Sequence, residues 1–334
     1  MSQKFNVAVL GATGLVGRQI IETLEDRKFP VDQLFLLASS RSAGEEIQFR
    51  GESLEVIDVE EFDFSQAHIG LFSAGGSVSE KYAPIAADAG CVVIDNTSHF
   101  RNDYDVPLII PEVNASSLAD FRNRNIIANP NCSTIQLVMA LSPLHKMYNI
   151  LRLVVSTYQS VSGSGIKAVN QLMNERKGLE GEKSYPHQID LNVLPHAGDF
   201  VEDGYTSEEI KLVEETNKIL NADIRTTATV VRVPVIAGHS ESVNIEFEND
   251  FVIEEIKRLL GNMPGIVLFD FPEANLYPMP IIAAGKDEVF VGRIRRDFSQ
   301  PNTLNLWVVS DNLRKAAATN AVQIVQYLIS NSLI

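Results

Sequence analysis

FNVAVLGATGLVG, residues 5–17, is the stretch on which the fold turns. Its first six residues are a short apolar run of the kind that forms a buried parallel strand. GATGLVG then spaces three glycines as G-x-x-G-x-x-G. Glycines at such positions let the chain turn tightly and bring its backbone against a pyrophosphate, which rests on the positive end of the next helix. Leu15, Val16, Ile20, Ile21 and Leu24 follow at helical spacing and predict a helix over about 14–26. Strand, glycine turn and helix in that order open a dinucleotide-binding βαβ unit. A tight turn without a ligand is the plainer alternative.

Working outward, LFLLA (34–38), IGLFSA (69–74), CVVID (91–95) and IIAN (126–129) are further short apolar runs, with the helical KYAPIAADAG among them. Alternating strands and helices predict an α/β, Rossmann-type domain with a parallel sheet over residues 1–131. Beyond residue 132 the strands lengthen and partly alternate: LRLVVSTYQSV, TATVVRVPV, SVNIEFE, EVFVGRIRRD and TLNLWVVSD. These predict an α+β domain over 132–311, its sheet mixed and largely antiparallel. Helices over about 134–147, 165–177, 206–221 and 252–261 cover one face of it. The strongly helical C-terminal segment 312–334 is expected to pack back on the first domain. The loop 178–205 is long for a compact domain, which marks it as functional or as an interface element.

A formal charge of −15 argues against a nucleic-acid partner, because phosphate backbones call for a basic face. Two cysteines, Cys91 and Cys132, make no disulfide framework, and neither a CxxC pair nor a His/Cys ladder points to a metal. The first residues lack a signal-peptide core, and no apolar run is long enough to span a bilayer. The expectation is a cytoplasmic protein with no membrane partner.

The second strand would present the group that reads the adenosine ribose, where NAD enzymes usually place an acid. Here it ends in ASSRSAG (38–44), with Ser39, Ser40, Arg41 and Ser42 and no carboxylate. Those donors suit a 2′-phosphate and point to NADP; a solvated loop arginine is the alternative. Cys91 lies in an apolar strand and reads as core. Cys132, in NPNCSTIQ (129–136), stands where a turn enters a helix, and a helix N-terminus stabilises a thiolate. On these residues alone, nucleophile and small core residue both stay open. A nucleophilic cysteine beside a nicotinamide suggests thiolate addition to an aldehyde, hydride loss and a thioester.

GATGLVG, ASSRSAG, FSAGGSVS, VIDNTSHFR, PEVN, NPNCSTIQL, YQSVSGSG, GYTSEEIK, RVPVIAGHSESVNIEF, YPMP, VGRIRRD and DNLRKAAATNAVQI run in this order over nearly the whole chain. In kind and order they resemble the aspartate-semialdehyde dehydrogenase family. The resemblance implies Cys132 as nucleophile, Gln159 as the group that orients the substrate or polarises its carbonyl, and His239 as general acid/base. It implies phosphate binding by Arg101 and Lys211, a carboxylate clasp by Arg232, an ammonium partner in Glu208, and a substrate contact at Asn131. Glu208 and Lys211 share a helix face, where a surface ion pair is the bland reading. For NADP it implies Gly11, Thr13, Gly14, Leu15, Val16 and Gly17, then Ser39, Ser40, Arg41 and Ser42. Further cofactor positions are Ser73, Ala74 and Gly75, with Ser162, Gly163, Asn312 and Gln323 from later in the chain.

The implied reaction is reversible reductive dephosphorylation of L-4-aspartyl phosphate to L-aspartate 4-semialdehyde, in lysine or diaminopimelate, threonine and methionine biosynthesis. A homodimer through the second domain is implied, with pairing into tetramers left open. Two positions depart from the family pattern: Ala316 where glycine is frequent, and Asp190 where an apolar or small residue is. Two rival readings are an N-acetyl-γ-glutamyl-phosphate reductase and an inactive scaffold relative. The first usually carries NPGC followed by Tyr-Pro, and the second would have lost some of Cys132, Gln159, Arg232 and His239.

Overall fold

Short apolar strands need cover on both faces, and the segments between them supply it. The computed structural model describes residues 3–334, so the first two residues of the expected 1–131 domain lie outside the described residues. The chain divides into two compact units, Met1–Asn131 with Ala317–Ile334, and Cys132–Ala316.

In the first unit the strands are β1 (Phe5–Leu10), β2 (Val31–Ala38), β3 (Glu46–Phe49), β4 (Glu52–Asp58), β5 (Ile69–Phe72), β6 (Val92–Asp95) and β7 (Ile126–Ala128). They form one sheet in the order β3-β4-β2-β1-β5-β6-β7. Pairing is parallel throughout except between β3 and β4. Helices α1 (Leu15–Asp26), α2 (Gly76–Asp88) and the short α3 (Pro111–Asn114) alternate with these strands. Val7, Val9, Ile20, Leu24, Leu36, Ile69 and Ile94 form the buried centre. Full burial of each such side chain contributes about 1.5–3 kcal/mol.

Two findings depart from the sequence expectation. β2 begins three residues earlier than LFLLA, because Val31 pairs with Phe5. The β3–β4 hairpin was not anticipated: its strands are polar and half exposed. They turn through Arg50 and Gly51, whose φ values of 51° and 81° are the pair a two-residue type I′ turn requires.

The second unit opens with α4 (Cys132–Tyr148), whose residues from Ser133 to Ser142 are all buried. β8 (Ile150–Gln159), α5 (Ile166–Arg176), α6 (Ser207–Leu220), β9 (Arg225–Arg232) and β10 (His239–Phe247) follow. α7 (Ile253–Gly261), β11 (Ile266–Leu268), α8 (Pro280–Ala283), β12 (Val289–Arg296) and β13 (Thr303–Ser310) complete it. The sheet order is β11-β12-β13-β10-β8-β9. Its middle is antiparallel and both edge pairs, β8–β9 and β11–β12, are parallel. A parallel β8–β9 pair needs a crossover connection, which α5, the long loop and α6 provide. α6 starts with a capping box: Thr206 Oγ1 accepts from the Glu209 amide, and Glu209 Oε2 accepts from the Thr206 amide.

The long loop is tied to α5. Gln171 Oε1 accepts from the amides of Ser184 and Tyr185, and Glu175 Oε2 from those of Ile189 and Asp190. The unusual Asp190 takes an ion pair with Arg176 at 3.2 Å, so it serves this tether. The C-terminal segment, expected as one helix, begins with a wide π turn over Arg314–Thr319 and becomes α9 only at Asn320–Ser330. Ala316 is buried within that turn.

Gly17 exposes how tightly the opening unit is built. A Cβ on it would lie 2.1 Å from Gly11 O, whereas one on Gly14 would meet Gly11 O at an ordinary 3.4 Å. Gly17→Ala is expected to destabilise the chain by about 1–3 kcal/mol, the usual cost of overpacking. Gly14→Ala should stay close to the parent in denaturant midpoint. Equal midpoints for the two variants would refute the close-packing argument.

Candidate active site

A cavity of about 600 Å³ opens in the first unit where β1, β2 and β5 end. The sheet order reverses between β1 and β5, the switch point at which ligands of open α/β sheets bind. Gly11 turns the chain here with φ +89°, and a side chain on it would reach 2.9 Å from the Ala74 amide nitrogen. The turn is closed by Gly14 N–H donating to Gly11 O at 3.0 Å, and no side chain caps α1 at Gly14. A glycine cradle at an uncapped helix start fits a dinucleotide phosphate.

Of the expected cofactor residues, Gly11, Thr13, Gly14, Ser39, Ser40, Arg41, Ser73 and Ala74 line this cavity. Leu15, Val16, Gly17, Ser42 and Gly75 do not. Asp58, Glu60, Lys81 and Tyr82 also line it, and the sequence reading missed them. Asp58 stands opposite Ala38 in the β2–β4 pairing, so a strand that was not anticipated brings an acid beside the end of β2. Its Oδ1 accepts from the Glu60 amide at 3.1 Å, and Lys81 pairs with Glu60 at 3.1 Å.

In the second unit the ends of β8, β9 and β13 and the start of β10 meet at one edge, set by the pairs Gln159↔Arg232 and His239↔Ser310. Cys132 is the first residue of α4 and half-buried. Its neighbour Ser133 receives a hydrogen bond from Gln159 Nε2 at 2.9 Å, which fixes the start of α4 at the end of β8. Ser160, next along, holds two more of the expected residues. Its amide donates to His239 Nδ1 at 3.0 Å, and its carbonyl accepts from Arg232 Nη1 at 2.8 Å. His239 is fully buried, and its Nε2 has no hydrogen-bond partner among the described residues. Burial, then the nearby Arg232 charge, holds the imidazole well below its ordinary pKa, so the ring is neutral near pH 7. A Cβ on Gly163 would lie 3.1 Å from His239 Nε2 and 3.2 Å from Arg232 Nη1, so glycine keeps space open before both donors.

Thus Cys132, Gln159, Arg232, His239 and Gly163 gather at one edge of the second sheet. Ser162 and Asn312 are there too, engaged with each other: Asn312 Nδ2 donates to Ser162 Oγ at 3.0 Å. Glu208 and Lys211 pair at 2.9 Å on α6. That helix is pinned to β9 by the Val230 amide donating to Glu209 Oε1 at 3.0 Å. In the first unit, Arg101 is buried and donates from Nε to Asn129 O at 3.0 Å and from Nη2 to Asn96 O at 2.7 Å. Asn131 is buried, and Gln323 on α9 donates to Glu112 at 3.0 Å.

Three buried polar residues near His239 escaped the sequence reading. Ser160 and Gln136 carry no local signal. Glu241, two residues after His239 on β10, could have been flagged as an acid on the inward face of an alternating strand. Burial pushes its carboxyl well above the usual carboxylate range, and Gln136 offsets this only in part. Gln136 Nε2 donates to His239 O at 3.4 Å, which links α4 to β10. Cys91, by contrast, is buried in the first unit with its thiol pushed up to about 12 by desolvation.

Residues 6–121 match the family described as "Semialdehyde dehydrogenase, NAD binding domain", and residues 141–315 the "Semialdehyde dehydrogenase, dimerisation domain". The chain is 56% identical over 336 residues to an aspartate-semialdehyde dehydrogenase of Shewanella violacea, covering 98% of this chain and 99% of that one. It is 52% identical to aspartate-semialdehyde dehydrogenase 2 of Vibrio cholerae, again over 98% and 99% of the two chains. Among solved structures, Vibrio cholerae aspartate semialdehyde dehydrogenase II complexed with ASA superposes with a TM-score of 0.95 at 51% identity, covering 99% of each chain. The Candida albicans enzyme with NADP superposes with a TM-score of 0.78 at 25% identity, covering 99% of this chain and 100% of that one. Two domain families in sequence order and full-length relatives above half identity place this chain in the aspartate-semialdehyde dehydrogenase family.

Proposed function

We propose that the chain catalyses the NADP-dependent, reversible reductive dephosphorylation of L-4-aspartyl phosphate to L-aspartate 4-semialdehyde through a thioester on Cys132. The observation that carries this reading is the gathering of Gln159, Arg232 and His239 around Ser160, next to the helix start that Cys132 occupies. In this reading the Cys132 thiolate attacks the acyl phosphate, the C–O bond breaks, and inorganic phosphate leaves with the electron pair. Gly11 and Gly14 would hold the phosphates of NADP, which when bound would supply the hydride that the thioester carbon requires. Collapse of the resulting tetrahedral adduct expels Cys132 and releases the semialdehyde. His239 is assigned as the general acid/base, and Gln159 as the group that orients the carbonyl from beside Ser133.

Arg232 presents a planar fork suited to the α-carboxylate, and Glu208 a carboxylate suited to the α-ammonium. Asn131 completes the substrate contacts. Arg101 and Lys211 are assigned to the phosphate, a role that requires Lys211 to exchange its Glu208 partner for substrate. The cofactor is assigned as NADP through Arg41 and its flanking serines, with Lys81 adding a second cation at the cavity. Asp58 and Glu60 line the same cavity and Glu60 pairs with Lys81 at 3.1 Å, so the preference rests on Arg41 and its serines. Biosynthesis of lysine or diaminopimelate, threonine, methionine and isoleucine, a cytoplasmic location and a homodimer through the second unit complete the proposal. No helix among the described residues is long and apolar enough to cross a membrane.

Purified protein with aspartate semialdehyde, phosphate and NADP is expected to form NADPH only when phosphate is present. Activity confined to the N-acetylated glutamate semialdehyde would overturn the substrate assignment. Iodoacetamide at pH 8 should alkylate one thiol per chain, since Cys91 is buried with its pKa near 12, and abolish activity in step. Cys132→Ala should lose both the label and at least about 10³-fold in kcat; full activity in that variant would sink the thioester. Arg41→Ala should raise the KM for NADP by about tenfold while moving that for NAD by less than about twofold. Equal effects on the two nucleotides would remove the 2′-phosphate role.

A further inference from the structure

Arg101 is buried, and two main-chain carbonyls orient its guanidinium. Asn129 O accepts from Nε at 3.0 Å, and Asn96 O accepts from Nη2 at 2.7 Å. Both carbonyls belong to asparagines that directly follow a strand, Asn96 after β6 and Asn129 after β7. Their side chains are joined as well, Asn129 Nδ2 donating to Asn96 Oδ1 at 2.8 Å. This chain of amides runs on in both directions. Asn96 Nδ2 donates at 3.0 Å to the carbonyl of Phe72, the last residue of β5. At the other end Asn320, the first residue of α9, donates from Nδ2 to Asn129 Oδ1 at 2.7 Å and to Ile109 O at 2.9 Å. Asn129 Nδ2 also reaches Ala317 O, in the π turn, at 3.3 Å. Asn129 and Asn320 are buried, so solvent does not compete for these links. Asp95 clamps the turn that leads to Arg101. Its Oδ1 accepts from Ser79 Oγ at 2.8 Å and from the Thr97 amide at 3.0 Å, and its Oδ2 from Thr97 Oγ1 at 2.8 Å.

We propose that Asn129 and Asn320 are positioning residues for Arg101, so that the head of the C-terminal helix sets the affinity of this chain for inorganic phosphate. The proposal rests on the phosphate role assigned to Arg101 above, and neither asparagine is among the residues that the family resemblance implies. The physical argument concerns side-chain freedom. An arginine that moves freely loses rotamers each time it binds an anion. Here two main-chain oxygens impose that loss during folding, so phosphate meets a guanidinium already in place. A carbonyl is a fixed point only as far as its own segment is fixed, and both segments lie just beyond strand ends. The amide chain ties those segments to each other and to α9. Its first link requires a donor at Asn320, because the two groups it meets, Asn129 Oδ1 and Ile109 O, can only accept. Removing that carboxamide leaves Asn129 Oδ1 without this donor and lets the Asn129 amide turn away from Asn96.

The test measures the KM for inorganic phosphate with aspartate semialdehyde and NADP saturating, together with the thermal shift that phosphate produces at constant ionic strength. Asn320→Ala is expected to raise the KM for phosphate by about tenfold and to shrink the phosphate-induced shift, while the KM values for semialdehyde and NADP move by less than about twofold. Asn320→Asp, equal in size but without the amide donors, should behave like Asn320→Ala. A parent KM for phosphate in that variant overturns the donor role. Asn129→Ala cuts the same chain at its middle and decides the question if the Asn320 variants do not fold; a parent KM for phosphate there also overturns the proposal. Combined with Arg101→Ala, Asn320→Ala should raise the KM for phosphate by less than about twofold more, because the group it acts through is gone. A further tenfold rise in that background, or equal rises in all three KM values, would show a merely structural role. A phosphate KM that Arg101→Ala itself leaves unchanged would refute the phosphate assignment, a failure separate from a silent Asn320.

Discussion

The main chain of Ser160 is the constraint on which the second unit's site depends. Its amide fixes the His239 ring, its carbonyl fixes the Arg232 guanidinium, and its hydroxyl is held by Asn312. These partners come from the start of β10, the end of β9 and the residues after β13, so three strand termini are registered on one residue. Immediately before it, Gln159 ties the same turn to Ser133 at the head of α4. The antiparallel β8–β10 and parallel β8–β9 ladders make this possible, because together they bring two chain ends and one chain start to a single edge. Gly163 then leaves room in front of the two donors. Pre-positioned donors in a buried setting are worth more than the same groups in water, because no solvent must reorganise during reaction.

The first unit relies on a different kind of restraint, steric closeness in place of side-chain bonding. Gly11 approaches the chain after β5 at Ala74, and Gly17 approaches the carbonyl of Gly11, so backbone touches backbone where any side chain would intrude. The same bareness that packs the helix against the strand leaves amide groups facing the cavity. Folding and the proposed phosphate recognition thus draw on one sequence feature. This is why the glycine spacing could be read from the chain with so little else.

Legibility followed whether a signal was local. The β1 strand, its glycine turn and α1 were readable because strand period, turn chemistry and helix period follow one another within residues 5–26. The second sheet was readable as longer alternating strands, but its two parallel edges were not, since pairing across a crossover leaves no mark in either strand. The β3–β4 hairpin was missed because polar, half-exposed strands of four and seven residues lack a buried face to set their period. That omission also hid Asp58. The last helix looked uniform in sequence, yet it opens with a π turn that helical periodicity does not reveal. Cys132, Gln159, Arg232 and His239 were named through motif order, whereas the meeting of Arg232 and His239 at Ser160 required coordinates.

Glu241 and His239 point to the same side of β10, both fully buried, one holding its proton and the other lacking one. In the unfolded chain these groups return to their ordinary behaviour, with the carboxyl ionising near 4.5 and the imidazole near 6.5. As pH rises through the range in which the unfolded carboxyl ionises, the folded chain keeps a proton that the unfolded chain loses, so Glu241 lowers stability. As pH falls through the range in which the unfolded imidazole charges, the unfolded chain gains a proton that the folded chain does not, so His239 lowers stability in the opposite direction. Placing an acid and a base in the same dry layer lets this fold carry two costly buried groups whose effects on proton balance oppose each other.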